Sequence, residues 1–225
     1  MSEHTELEQL NALLSALPPD LAAVKALLGH GTLTKTELSA AAAALGKRCQ
    51  MELAQWQAGH PGETPEPRQL YSGWLEEELR LLLDAGLEPD TDADYENVLW
   101  YLPEVDLADV APRCLHLMLE HGADPNRIFP AELESLYNRV SFGVSFDRYT
   151  QRSYVQCWLL LMGYGGYDEF GGILPELRPG LTAEIFRDID RWDYQVLPDT
   201  DPDAAPGSWH MYIFDRESRE IAAVY

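Results

Sequence analysis

A chain of 225 residues can bury a sizeable core, as one domain or two small ones, and its 46% apolar and 24% charged residues are those of a globular protein rather than a disordered one. Sixteen Lys and Arg stand against 38 Asp and Glu, a formal net charge of -22. A nucleic-acid backbone or an anionic membrane is repelled by such a surface and a basic partner is favoured, although the same charge also serves solubility.

Leu7, Leu10, Leu13, Leu14 and Leu17 fall at helical spacing, so a first amphipathic helix is predicted from about Thr5 to Ala16, ended by Pro18 and Pro19. Asp20 is placed to cap a second helix, LAAVKALLGHG, which closes at Gly31. Thr34 and Glu37 form a capping box before the long helix-favouring stretch LSAAAAALGKRCQMELAQWQ, in which Gly46 marks a break point. AGHPGETPEP, Ala58 to Pro67, has no apolar periodicity and reads as a loop.

A helix from about Gln69 to Ala85 should follow, with Glu76, Glu77 and Glu78 facing solvent. Asp94 then caps the short helix ENVLWYL, stopped at Pro103, and Asp106 caps the next, which ends at Gly122. Pro130 fits the first position of a helix AELESLYNRVSF, whose partner SYVQCWLLLMGYGG ends near Gly165.

One ending recurs. LMLEHGADPN, Leu117 to Asn126, is closely matched by LLLDAGLEPD, Leu81 to Asp90. Each runs apolar residues up to a two-residue step and a glycine, which takes a left-handed helix end without a Cβ penalty, and then a proline that cannot rejoin the helix. Gly31, Gly86, Gly122 and Gly165 thus mark helix-hairpin endings 55, 36 and 43 residues apart. A helix pair recurring at such spacing is the signature of an α-solenoid.

Over these two decapeptides the chain resembles the ankyrin repeat, matching the end of that family's second helix and the start of its projecting loop. The first-helix motif T-P-L-H-x-A is not reproduced: the corresponding Asn97 to Leu102 reads NVLWYL, and only Leu99 fits. The resemblance implies a mainly α fold, a short ankyrin-like α-solenoid of helix hairpins with a small C-terminal β-hairpin. Residues 1–170 would be the repeat stack, with a loop insertion at about 58–68, and residues 171–225 a capping segment. In that segment GGYDEFGGILPELRPG is a Gly- and Pro-rich loop, Thr182 caps a short helix, and WHMYIFDRESREIAAVY alternates as a β-hairpin turning at about Asp215 to Arg219.

Chemical motifs are sparse. D-x-D-x-D occurs at Asp90, Asp92 and Asp94 and again at Asp199, Asp201 and Asp203, but neither stretch has the Gly and Glu of an EF-hand loop. Cys114, His116 and His121 lack paired zinc-ligand spacing. No G-x-S-x-G and no phosphate-binding G-x-x-x-x-G-K is present. Cys49, Cys114 and Cys157 are odd in number and far apart, so they read as reduced core residues. The start MSEHTELEQL has neither the basic nor the apolar part of a secretory signal, and no apolar run approaches the ~20 residues of a membrane span. A cytoplasmic location is expected.

The expectation is therefore a non-enzymatic protein-binding module needing no cofactor or metal, whose acidic surface holds a basic protein as an inhibitor or immunity partner does. The alternative is a carboxylate-based hydrolase or Ca²⁺-binding protein using the acidic C-terminal region. In the ankyrin family partners bind the projecting loops and first helices. The resemblance implicates Asp90, Asp92 and Asp94 in one loop, Asn126, Arg127 and Phe129 in the next, and Trp100 and Tyr101 between them. For Trp100 a core role is the competing reading.

Overall fold

Local capping chemistry sets most helix starts in the first part of the chain. The computed structural model describes residues 5–105, 107, 109–168, 175–205 and 207–225. They group into two units, Met1–Leu136 and Tyr137–Tyr225, dividing within the segment that reads in sequence as one stack to residue 170.

In the first unit, α1 (Glu6–Leu14) starts at Thr5, whose hydroxyl accepts the Glu8 N–H while the Glu8 carboxylate accepts the Thr5 N–H. The Asp20 carboxylate caps α2 (Leu21–Leu28) through the Ala23 N–H, and Thr34 with Glu37 repeats the capping box for α3 (Lys35–Gly59). Far from breaking, α3 runs straight through Gly46. A Cβ there would lie 3.1 Å from the side chains of Val98 and Tyr101, so this glycine admits α5 (Val98–Tyr101) onto the helix surface.

The single helix expected from Gln69 to Ala85 is instead two 3-10 turns, Pro67–Gln69 and Tyr71–Trp74, followed by α4 (Leu75–Asp84). Glu52, buried on α3, gives the reason: its carboxylate accepts the N–H groups of Tyr71 and Ser72 and the Ser72 hydroxyl. Those donors have a partner outside the helix. Next to come is α6 (Val110–Glu120), and α4 and α6 stop alike. Gly86 and Gly122 have φ of 101° and 93°. The Leu87 N–H donates to Leu82 O and the Ala123 N–H to Met118 O, which is the Schellman geometry.

Two further local expectations differ from the structure. Asp94 does not cap α5: with Tyr95 it forms the centre of a tight turn, φ 50° and 67°, closed by hydrogen bonds between Ala93 and Glu96. Asn97 is the cap, its Oδ1 accepting the Leu99 N–H. Pro130 does not open a helix either, because β1 (Ile128–Phe129) pairs with β2 (Glu134–Ser135) and Pro130 lies in the turn between them. Asp106, the expected cap of α6, lies outside the described residues. The core of this unit is aliphatic, with Leu10, Val24, Leu38, Ala42, Leu79, Leu99 and Leu115 fully buried.

The second unit opens with α7 (Leu136–Gly143, its first residue on the boundary), continues through a π-helical turn, Val144–Arg148, and then forms α8 (Arg152–Gly163). After it come β3 (Glu176–Leu177), a 3-10 turn at Ala183–Arg187, β4 (Trp192–Pro198), β5 (Trp209–Asp215) and β6 (Ile221–Val224). The sheet is antiparallel in the order β3-β6-β5-β4, and β5 and β6 form the hairpin expected from their alternation. Trp158, Phe186, Trp192, Met211 and Ile213 fill its core. Part of the Gly-rich stretch, residues 169–174, lies outside the described residues.

The chain is thus α+β. A mainly α, ankyrin-like solenoid with a small C-terminal hairpin is overturned by this four-stranded sheet and the two-stranded β1–β2 ribbon, which stand beside eight α-helices among the described residues. The physical reason lies in β4, whose seven residues pair throughout with β5. What reads as a cap on a helical stack is a sheet that supplies much of its own unit's core. No helix among the described residues is long and apolar enough to cross a membrane.

Candidate functional site

The first unit carries an open groove of about 210 Å³ between the 93–96 turn, α5 and the β1–β2 turn. Asn97 organises the first wall. Fully buried, it caps α5 with its carbonyl oxygen and donates from its amide nitrogen to Pro89 O and Thr91 O at 2.9 and 2.8 Å. The Ser39 hydroxyl on α3 also donates to Thr91 O. The loop from Pro89 to Asn97 is therefore clamped at its middle and its end. Its tip is forced into a turn with two positive φ values, where Asp94 is a usual first residue but Tyr95 stands in place of the glycine such turns favour second.

The second wall is the β1–β2 turn, which presents Ala131 and Glu132 and places Leu133 at φ 54°. Tyr95 and Leu133, both in the left-handed region, are 72% and 81% exposed. Large apolar side chains held in that region cost about 1 kcal/mol or more each, and such strain clusters at functional sites. Between the walls stand Trp100 and Phe129, edge to face with ring centroids 4.9 Å apart, and Tyr101.

The groove's carboxylates are not equivalent. Glu96 is tied to Lys47 at 2.7 Å, which with the Tyr101 hydroxyl holds its carboxyl below the usual range. The carboxylates of Asp94 and Glu132 have no hydrogen bond or ion pair among the described residues, and both residues are exposed.

The residues singled out in sequence divide into two groups. Asp94, Trp100, Tyr101 and Phe129 line this groove. Asp90, Asp92 and Arg127 form an internal link: the mostly buried Arg127 guanidinium donates to Asp90 O and pairs with the Asp92 carboxylate. The Asp90 carboxylate accepts the Asp124 N–H at 3.1 Å, and burial pushes its pKa up against the pull of that bond and of Arg127. Arg127 also lies over the Phe129 ring at 5.7 Å, which ties the link to the groove. Asn126 belongs to the turn before it, its N–H donating to the Asp124 carboxylate. Sequence reasoning passes over Tyr95, Glu96, Asn97, Glu132 and Leu133, and only Asn97, as a helix-capping type, has a sequence signal.

The second acidic triplet is built differently. The Asp201 N–H donates to Asp199 and the Asp203 N–H to Asp201, each at 2.9 Å, and Asp199 faces His210 at 3.3 Å. Successive aspartates here cap one another's backbone. Among the described residues no three His, Cys, Asp or Glu side chains converge on a position that could hold a metal. The thiols of Cys49 and Cys157 are buried, which raises their pKa and suppresses thiolate chemistry. No family model, curated protein or solved structure matches the chain.

Proposed function

We propose that the chain is a non-enzymatic protein-binding module that holds a basic protein through the groove of its first unit, as an inhibitor or immunity-type protein masks a cationic surface. The observation that carries this reading is the pair of unpaired carboxylates, Asp94 and Glu132, on an aromatic groove in a chain of net charge -22. Aromatic anchors with a charged rim are the usual anatomy of an interaction hot spot. The net charge steers a cationic partner toward the surface, and the groove fixes its register.

Affinity capture tests it. The immobilised chain, run beside an Asp94→Asn/Glu132→Gln variant, should recover a basic protein from its native lysate at low salt, and the variant should recover at least about fivefold less. High salt should release the partner. Recovery of no basic protein at either salt sinks the proposal.

A further inference from the structure

We infer that the groove seats a single arginine side chain of the partner, with its guanidinium over the Trp100 ring and between the Asp94 and Glu132 carboxylates. The inference rests on the basic-partner reading above and names the group that is read. At about 210 Å³ the groove falls below the ~300 Å³ at which sites for drug-sized ligands begin. That suits one long side chain rather than a folded ligand or several residues.

The molecule itself supplies a chemical template for such a seat. Arg68 lies 3.9 Å over the Trp74 ring and pairs with Glu77 at 2.5 Å. Arg191 lies 4.7 Å over Trp192 and pairs with Asp215 at 2.6 Å. Arg127 repeats the pattern with Phe129 and Asp92. In each case a planar cation stacks on a ring and is closed by a carboxylate. The groove offers the same ring and the same acid, in duplicate, and none of its lining residues is basic. The nearby cations are engaged elsewhere, Lys47 with Glu96 and Arg127 with Asp90 and Asp92, which leaves the other two carboxylates without a counter-charge.

Arginine is favoured over lysine on physical grounds. Its guanidinium is planar and weakly hydrated, so it stacks on an indole and bonds two carboxylates at once, whereas an ammonium is a strongly hydrated point charge.

The test is a ¹H–¹⁵N NMR titration of the full chain with N-acetyl-arginine methylamide, and with its lysine and citrulline counterparts. The Trp100 indole N–H cross-peak is assigned by its loss in Trp100→Phe. It should move on adding the arginine probe, at about threefold or more weaker affinity for lysine, and not at all for the uncharged citrulline. Asp94→Asn/Glu132→Gln, at two exposed positions, should keep the fold's spectrum and weaken the arginine probe about tenfold. Equal response to lysine, or a static Trp100 peak up to the probe's solubility limit, overturns the inference. A polylysine titration in low and high salt separates the two proposals. Salt-sensitive polylysine binding with a static Trp100 peak leaves the basic-partner reading standing and removes the arginine seat, and silence toward both probes removes both.

Discussion

The two units differ in how they use their aspartate triplets. In the second, acids are consumed by the backbone: Asp199 and Asp201 accept successive N–H groups. Asp215, held by the N–H groups of Ser218 and Glu217 and by Arg191, has its pKa pulled down to about 2. In the first, Glu8, Asp20, Glu37 and Glu52 serve the backbone in the same way, but three other acids do not. Asp94 and Glu132 stand unpaired on the groove, and Glu78, fully buried on α4, has its pKa pushed up to about 8. The same D-x-D-x-D spacing therefore yields a self-capping turn in one unit, and an ion-pair link plus a free carboxylate in the other. What separates them is whether a basic side chain and a strained turn meet the triplet, and spacing does not encode that.

The largest expected effect sharpens this contrast through Glu78. Its shift comes first from burial, with Arg48 opposing and Glu77 and Glu52 adding to it. A carboxyl whose folded pKa is raised favours the folded state fully below its unfolded pKa near 4.5, and loses that contribution as pH climbs toward 8. Glu78→Gln removes the titration. The variant should match wild type near pH 4.5 and exceed it by on the order of 3 kcal/mol by pH 7.5, measured by urea unfolding across that range. A difference that does not change with pH would show that Glu78 is not the titrating group.

Next in size is the link itself. Arg127→Met leaves Asp90 and Asp92 without their cation and should cost about 2 kcal/mol, lowering the urea midpoint. Should the variant unfold at the wild-type midpoint, the link contributes nothing and the first unit's acids are as independent as surface charges.

How much of this was legible in the sequence follows from the range of the interactions. The starts at Thr5, Asp20 and Thr34 and the glycine endings can be read because each cap and its partner lie within a few residues. The choice of Asn97 over Asp94 cannot, because it depends on Pro89 O, Thr91 O and Ser39 across a loop and from another helix. The β1–β2 ribbon has two residues per strand, too few for an alternation to register, so Pro130 reads as a helix start and Glu132 goes unnoticed. The aromatic wall announces itself by residue type, but Trp100 and Phe129 are brought together by that same ribbon. The sheet is missed for the opposite reason: its alternation is visible, yet the long β4–β5 pairing that makes it a core element is a tertiary fact.

The strained tip offers a test that sets stability against binding. Tyr95→Gly and Leu133→Gly relieve positive φ at exposed positions and should each raise stability by about 1 kcal/mol. If the exposed rings and chains flank the partner, both variants should also lose partner capture. A gain in stability with capture unchanged would leave the strain with no functional counterpart.

The smallest effect is expected in the second unit. Asp201→Asn keeps an oxygen acceptor for the Asp203 N–H, and asparagine serves such turns as well as aspartate does. The substitution should therefore shift stability by no more than about 0.5 kcal/mol and leave partner capture at the wild-type level. Asp94→Asn, the same one-atom change at the central carboxylate-bearing turn of the first unit, should be equally silent in urea, because Asp94 has no hydrogen bond or ion pair among the described residues to lose. It should nevertheless weaken capture. Matching stabilities with diverging capture would separate a carboxylate kept for folding from one kept for a partner, and equal capture by the two variants would erase the contrast between the units.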